Sequence, residues 1–407
     1  MVATFTANVS SIGQTLLVLE WEDPKPLKRA WCLLEITASL KQKRSKAALE
    51  IIMAPEEEAA FERALVHQFD TLVQHTCAVN VAQAEASKAE DKQRIFQALE
   101  ETLGFQEVNK QVIERMRDWM AEAGRAALGR LGREERRISC LLSQLARLLL
   151  DQGKLNEAEI FCQASMAARR SALGDEHPDT LISINNMALL LKAKEKSLEA
   201  EPLFREVLAA RRRTLGVEHP DTLDSIGHMA LLLQKQGKLA ESKLLCLEAV
   251  AVKRRKLGDE HPDTLDSFVI MALVLQDLGN LDEAESLQRQ ALAVRRRTLG
   301  NEHPSTLTSV NNMACLLQTQ GKLGEAETLC REALSARQRT LGDNHPDTLT
   351  STYGLACCLQ AMSHLAEADI LFQTHAHASF KLQLFSFGEE REYAYMGDYE
   401  LVREPYT

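Results

Sequence analysis

The stretch Leu173-Gly174-Asp175-Glu176-His177-Pro178-Asp179-Thr180-Leu181 returns four more times, at Leu215–Leu223, Leu257–Leu265, Leu299–Leu307 and Leu341–Leu349. Its prolines, Pro178, Pro220, Pro262, Pro304 and Pro346, fall 42 residues apart without slippage. A fixed period of this size marks a solenoid, in which one supersecondary unit buries its apolar face only by stacking on copies of itself.

Each copy reads as a helix stop followed at once by a helix start. Arg211-Arg212-Arg213 puts cations where exposed helix carbonyls carry partial negative charge. Gly216 supplies a left-handed residue to end the helix, and Pro220 with Asp221 suits the first turn of the next. A second, weaker turn, Gln236-Gly237-Lys238 or Gln320-Gly321-Lys322, divides each unit into two helices. Two antiparallel helices per unit resemble the tetratricopeptide (TPR) arrangement, lengthened from its common 34-residue form.

The same pattern, shifted by one period, places a first helix pair near 137–172, with further pairs starting at 179, 221, 263, 305 and 347. The expected architecture is mainly α, a right-handed solenoid of about six helix pairs over 137–380. Glu195 and Ser363 replace the weak-turn glycine of Gly153, Gly237, Gly279 and Gly321, which predicts looser or differently shaped turns there. Gln373-Thr374-His375-Ala376-His377 replaces the usual helix ending in the last unit, which reads as a cap. Leu181, Ile184, Ala188 and Leu191 share one helix face, as do Leu223, Ile226, Ala230 and Leu233, and these form the core. Ala158, Ala200 and Ala326, each between two glutamates, allow close helix approach.

Asn185-Asn186 and Asn311-Asn312 stand in the middle of first helices, where Asn costs about half a kcal/mol relative to Ala. They serve either a hydrogen bond between neighbouring helices or a groove. Together with Gly-Lys-Leu-x-Glu-Ala-Glu and Arg-Arg-Arg-Thr-Leu-Gly-x-Glu-His-Pro-Asp-Thr-Leu, the run Asn-Asn-Met-Ala-Leu-Leu-Leu resembles the 42-residue TPR repeat of kinesin light chains and nephrocystin-type proteins. The resemblance implies a concave groove lined by first helices, with Asn185, Asn186, Asn311 and Asn312 facing an extended peptide. His228 occupies the same place one unit on, in Gly227-His228, while Val269-Ile270 and Tyr353-Gly354 depart from the pattern and make the middle of the groove more apolar. The heptad coiled coil of light chains has no match here.

Ahead of the solenoid, Gly13–Leu19 reads as a buried strand and Ala48–Met53 as a second strand, with helices expected over Leu27–Leu40, Glu56–Val66, Asp91–Leu103 and Val108–Leu131. This order suggests an incomplete α/β piece over 1–90 and a helical connector over 91–136. Arg29-Ala30-Trp31-Cys32-Leu33-Leu34-Glu35 resembles the Trp-Cys-Leu-x-Glu helix of Toll/interleukin-receptor (TIR) domains. That resemblance implies an alternative, an NAD-cleaving enzyme with Glu35 catalytic and the repeats as sensor.

A net charge of −10 argues against nucleic acid as the main partner. Nine cysteines without a CxxC pair read as reduced intracellular thiols, and Cys357-Cys358 cannot both face one core. No stretch approaches a membrane span. The tail over 381–407, acidic and holding four of the five tyrosines, suits a disordered terminus or a segment that binds the protein's own groove. These features together predict a cytoplasmic, non-catalytic scaffold or adaptor. It binds a protein or peptide, through a kinesin-light-chain-like cargo role as one variant, and calls for no cofactor or metal.

Overall fold

The computed structural model describes residues 15–386, apart from 21, 41–48, 68–71, 73–80, 103, 133–134, 137–138, 342 and 344–345. The tail beyond residue 386, with its expected self-binding, lies outside them. The chain opens with β1 (Thr15–Val18), α1 (Ala30–Leu40) and β2 (Leu49–Ile52), whose strands pair in parallel with Leu17 opposite Ile51. Parallel strands require a crossover, which α1 provides. The helix expected from Leu27 starts later because Arg29 is held extended. Ala30 N donates to Glu85 O at 2.8 Å, and a 3-10 turn over Lys25–Lys28 fills the gap.

Three helices follow, α2 (Pro55–His67), α3 (Ala89–Thr102) and α4 (Phe105–Arg130). Phe61 of α2 stacks on Trp119 of α4 at 4.7 Å, and Arg115 of α4 donates to Leu49 O of β2 at 3.2 Å. Gly124 lets α4 meet the solenoid, since a Cβ there would fall 2.7 Å from Leu145 Cδ2.

Six helix pairs then stack as the period predicts. They are α5 (Leu141–Asp151) with α6 (Leu155–Leu173), α7 (Pro178–Ala193) with α8 (Ser197–Thr214) and α9 (Pro220–Lys235) with α10 (Leu239–Leu257). After them come α11 (Pro262–Asp277) with α12 (Leu281–Leu299), α13 (Pro304–Thr319) with α14 (Leu323–Leu341) and α15 (Pro346–Ala361) with α16 (Leu365–Ser386). The last helix runs straight through Gln373–His377. Leu181, Ile184, Ala188, Leu223, Ile226, Ala230 and the three glutamate-flanked alanines are buried, as expected. Cys358 is buried and Cys357 half-exposed, so that pair does divide between core and surface.

The local signals are sharper than the sequence suggests. Each of four first helices is capped by the histidine of the repeated stretch: Nδ1 of His177, His219, His261 and His303 accepts from the amide two residues on at 3.2 Å. Proline at the next position has no amide to leave unpaired. The helix-ending glycines are not in the left-handed helical region expected of them. Gly174, Gly258 and Gly300 have φ of 87°, 83° and 87° with ψ of 168°, 169° and 168°, a region open essentially to glycine alone. The weak turns do adopt the left-handed form, and here the two exceptions keep its shape. Glu195 (φ 61°) and Ser363 (φ 65°) match Gly237 (φ 74°). Lys196 N reaches Leu191 O at 2.9 Å just as Lys238 N reaches Leu233 O at 2.9 Å. Those turns are strained rather than loosened.

The arginine runs are structural cross-links rather than only helix-end charges. The first arginine is buried and ties its unit to the next first helix. Nη1 of Arg169, Arg211, Arg295 and Arg337 donates to the carbonyls of Asp179, Asp221, Ser305 and Asp347 at 2.9, 2.9, 3.1 and 2.9 Å. The same Nη1 atoms donate to Oγ of Ser183, Ser225, Ser309 and Ser351 at 3.1, 2.8, 2.7 and 2.9 Å. The second arginine bridges successive second helices, as in Arg170–Glu206, Arg212–Glu248 and Arg296–Glu332 at 2.6, 2.5 and 2.7 Å. The third reaches the turn, as Arg213 does to Glu176 at 2.5 Å.

One seam departs furthest from this scheme, although the last junction also carries Gln338 in place of the second arginine. Between α9/α10 and α11/α12, Lys253 replaces the buried arginine, and its Nζ lies 4.0 Å from Asp224. Gln290 stands where Glu206, Glu248 and Glu332 stand, so Arg254 turns to Asp259 at 2.8 Å and over the Phe268 ring. Leu247 replaces the arginine that elsewhere gives Arg205–Glu241 and Arg331–Glu367. Lys243 and Asn280 replace the partners of Lys238–Glu201 and Lys322–Glu285.

Candidate peptide-binding groove

Four of the five pairs of successive first helices, all but α7 with α9, pack directly on one another, and short side chains suffice to join them. Asn186 Nδ2 donates to Ser143 O at 3.2 Å, Gln234 Nε2 to Asp277 Oδ2 at 2.8 Å, and Gln276 Nε2 to Thr319 Oγ1 at 3.0 Å. Second helices are joined mainly through long Arg–Glu pairs. Closer spacing on one side curves the array, with first helices on the inside. Their inner faces carry Ile182, Leu189, Leu231, Ile270, Leu273 and Cys315 in a row, bounded by polar residues.

The asparagines divide into two kinds. Asn186 and Asn311 are bridges: Asn311 Nδ2 donates to Ser351 Oγ at 3.0 Å, in addition to the Asn186–Ser143 bond. Asn185 is different. Only 8% of it is exposed, and its Oδ1 accepts no hydrogen bond from the described residues. The serine that would correspond to Ser351 is Ser225, which takes Arg211 and gives its own hydrogen to Asp221 O at 3.0 Å. At the matching place on the next helix stands Gly227, which offers no side chain. Asn312 is half-buried on the same inner face.

His228 turns toward the second helix rather than the groove axis, its ring 5.8 Å from that of Phe204, and its Nδ1 is buried without a partner among the described residues. Burial, reinforced by Lys192, Arg147 and Arg211, brings its pKa down to about 4. Arg147 and Lys192 were not singled out in the sequence, although the 42-residue spacing sets Arg147 in one column with Leu189 and Leu231. The middle of the groove is apolar, as expected from Val269-Ile270, although Val269 itself is 8% exposed and belongs to the core.

Glu35 stands elsewhere. It is half-buried on α1, where burial raises its pKa. The cavity of about 270 Å³ in this piece, lined by Ile51, Phe61 and Trp119 among others, does not include it. The TIR resemblance finds no support, and Glu35 lies outside that cavity. Among the described residues, no helix is long and apolar enough to cross a membrane.

Comparisons with known proteins agree with the repeat geometry. A tetratricopeptide repeat model matches residues 137–213, 183–242, 263–329 and 310–375, and a second tetratricopeptide repeat model matches 222–263. Neither reaches the N-terminal piece. No curated protein matches the chain. Among solved structures, it is similar to the nearly identical TPR-like repeats of a candidate kinesin light chain from Podosopora anserina. That match has 31% identity and a TM-score of 0.43, and covers 49% of this chain and 94% of that one. A tetratricopeptide repeat protein of Parabacteroides merdae is 15% identical, over 72% of this chain and 96% of that one, with a TM-score of 0.48. The quorum sensor NprR of B. thuringiensis is 12% identical, over 80% and 100%, with a TM-score of 0.48. With six stacked helix pairs and matches running through them, the chain belongs to the tetratricopeptide repeat family.

Proposed function

We propose that the protein is a non-catalytic, cytoplasmic scaffold that holds an extended segment of a partner protein along the inner faces of its first helices. The observation that carries this reading is Asn185. A buried amide oxygen without a partner costs folding free energy, on the order of 1–3 kcal/mol. It is tolerated where a ligand supplies the missing donor, and a peptide backbone N–H is such a donor. Asn186 and Asn311 take no such part, since their amides are engaged between helices.

The test is to select binding peptides from a random library with the full chain and then measure them on variants. Asn185→Ala should weaken binding two- to tenfold, the worth of one hydrogen bond of about 0.5–1.5 kcal/mol, while leaving stability unchanged or raised. Asn311→Ala should instead lower stability and affect binding only in proportion. Selected peptides that bind Asn185→Ala at full strength would place the partner on another surface.

A further inference from the structure

We propose that the outer seam between α12 and α14 is a binding site for a small amphipathic carboxylate of the fatty-acid class. The seam opens into a cavity of about 470 Å³, within the usual range for small-molecule sites. Its floor is apolar, formed by Leu292, Met313, Leu317 and Leu329, and its rim carries Arg289, Thr328, the carboxylate of Glu325 and Arg296, which is paired with Glu332.

Two features together set this seam apart from its repeats. At the mouth stands Thr328, where the equivalent positions of α6, α10 and α16 carry Ile160, Leu244 and Ile370. A short hydroxyl side chain replaces a branched apolar one, leaving the seam unroofed. Pro202 and Ser286 are also short, but Gln163 and Leu247 then take the place of Arg289, so those mouths keep only the counterparts of Arg296, Arg170 and Arg254. The inter-unit pair over the mouth is also slack. Arg205–Glu241 and Arg331–Glu367 close at 2.7 and 2.8 Å, whereas Arg289–Glu325 stands at 3.7 Å, with Arg289 held on its own helix by Glu285 at 2.7 Å. An apolar chain would displace water from the floor, and its carboxylate would take the guanidinium face that Glu325 leaves open.

The site lies on the outer layer, so its fate is separate from that of the inner groove. The experiment is calorimetric titration of the full chain with decanoate and, in parallel, with uncharged decanol. Decanoate should bind saturably at one per chain. Thr328→Leu, which installs the residue α10 already carries there, and Ala293→Phe, from the exposed rim, should each weaken it by about tenfold or more. Arg289→Gln should weaken decanoate about tenfold and leave decanol unchanged. Asn185→Ala should leave decanoate binding intact, which separates this site from the groove. Absence of saturable binding, or binding indifferent to both filling substitutions in chains of unchanged helicity, overturns the assignment. Equal loss of decanoate and decanol in Arg289→Gln overturns the carboxylate part of it.

Discussion

Lys253→Arg should stabilise the protein. Four of the five described junctions are closed by a buried arginine, and at the remaining one every acceptor is already present. Asp263 and Ser267 stand 10 and 14 residues after Lys253, as Asp221 and Ser225 stand after Arg211. Asp224 occupies the place from which Asp266 pairs with Nη2 of Arg295. Lys253 is 7% exposed, so the cost of burying a cation is borne now without the fork of donors that offsets it. Two charge-assisted bonds, each worth about 1.5–3 kcal/mol net, are gained. Part is given up in fitting a larger head group, so a net gain of about 1–3 kcal/mol is expected. The assay is urea unfolding of the full chain with amide exchange followed in α10 and α11, where protection should rise most. The mirror substitution, Arg211→Lys, should lose a similar amount. If Lys253→Arg is neutral or destabilising while Arg211→Lys is harmful, the seam is not organised around those acceptors and the argument fails.

Two further outcomes can be measured directly. Glu195→Gly should raise stability by about 1 kcal/mol in the same assay, because it removes a side chain from φ 61° and loses only an exposed pair with Lys235 at 3.7 Å. The His228 imidazole is held neutral in the fold, with a pKa of about 4 against 6.5 when free. The unfolded chain therefore takes up a proton first, and the contribution of His228, up to about 3 kcal/mol, is present above pH 6.5 and lost as pH falls toward 4. His228→Asn, the residue of its counterparts Asn186 and Asn312, should flatten the pH dependence of unfolding between those values, and an unchanged slope would contradict the burial argument.

The period, the helix pairs and their buried faces were legible because each follows from local chemistry repeated at fixed intervals. What escaped was chosen by tertiary contact. Histidine is not among the usual N-cap residues, so His219 read as part of a turn, although its constant place two residues before Asp or Ser was a signal. The buried arginines were hidden inside basic runs, two of them runs of three. Only the serine that recurs 14 residues after the first of each run distinguishes Arg211 from Arg212 and Arg213. The turns at Glu195 and Ser363 were misread because a non-glycine residue was expected to change the backbone. The packing on both sides dictates the turn instead, and the residue bears the strain. The bridging role of Asn311 could be told from the unpaired state of Asn185 only once Ser351 and Ser225 were seen to differ in whom they serve.

The seam that lacks its arginine fork, its Arg–Glu bridges and its Lys–Glu pair has a mechanical meaning. In a linear stack each junction acts as a spring in series, and extension gathers at the softest. The substitutions at Lys243, Leu247, Lys253, Asn280 and Gln290 fall together at one joint, and all thin the ties between α9/α10 and α11/α12. Where those ties set the stiffness, two stiffer arms, one from α5 to α10 and the other from α11 to α16, should meet at a more compliant joint. Because the first helices form the inner side, bending there widens or narrows the groove at Leu231, Ile270 and Leu273 while hardly disturbing its ends. Amide exchange in α10 and α11 should then run faster than in the flanking helices, and equal rates would show that packing rather than polar ties holds the joint.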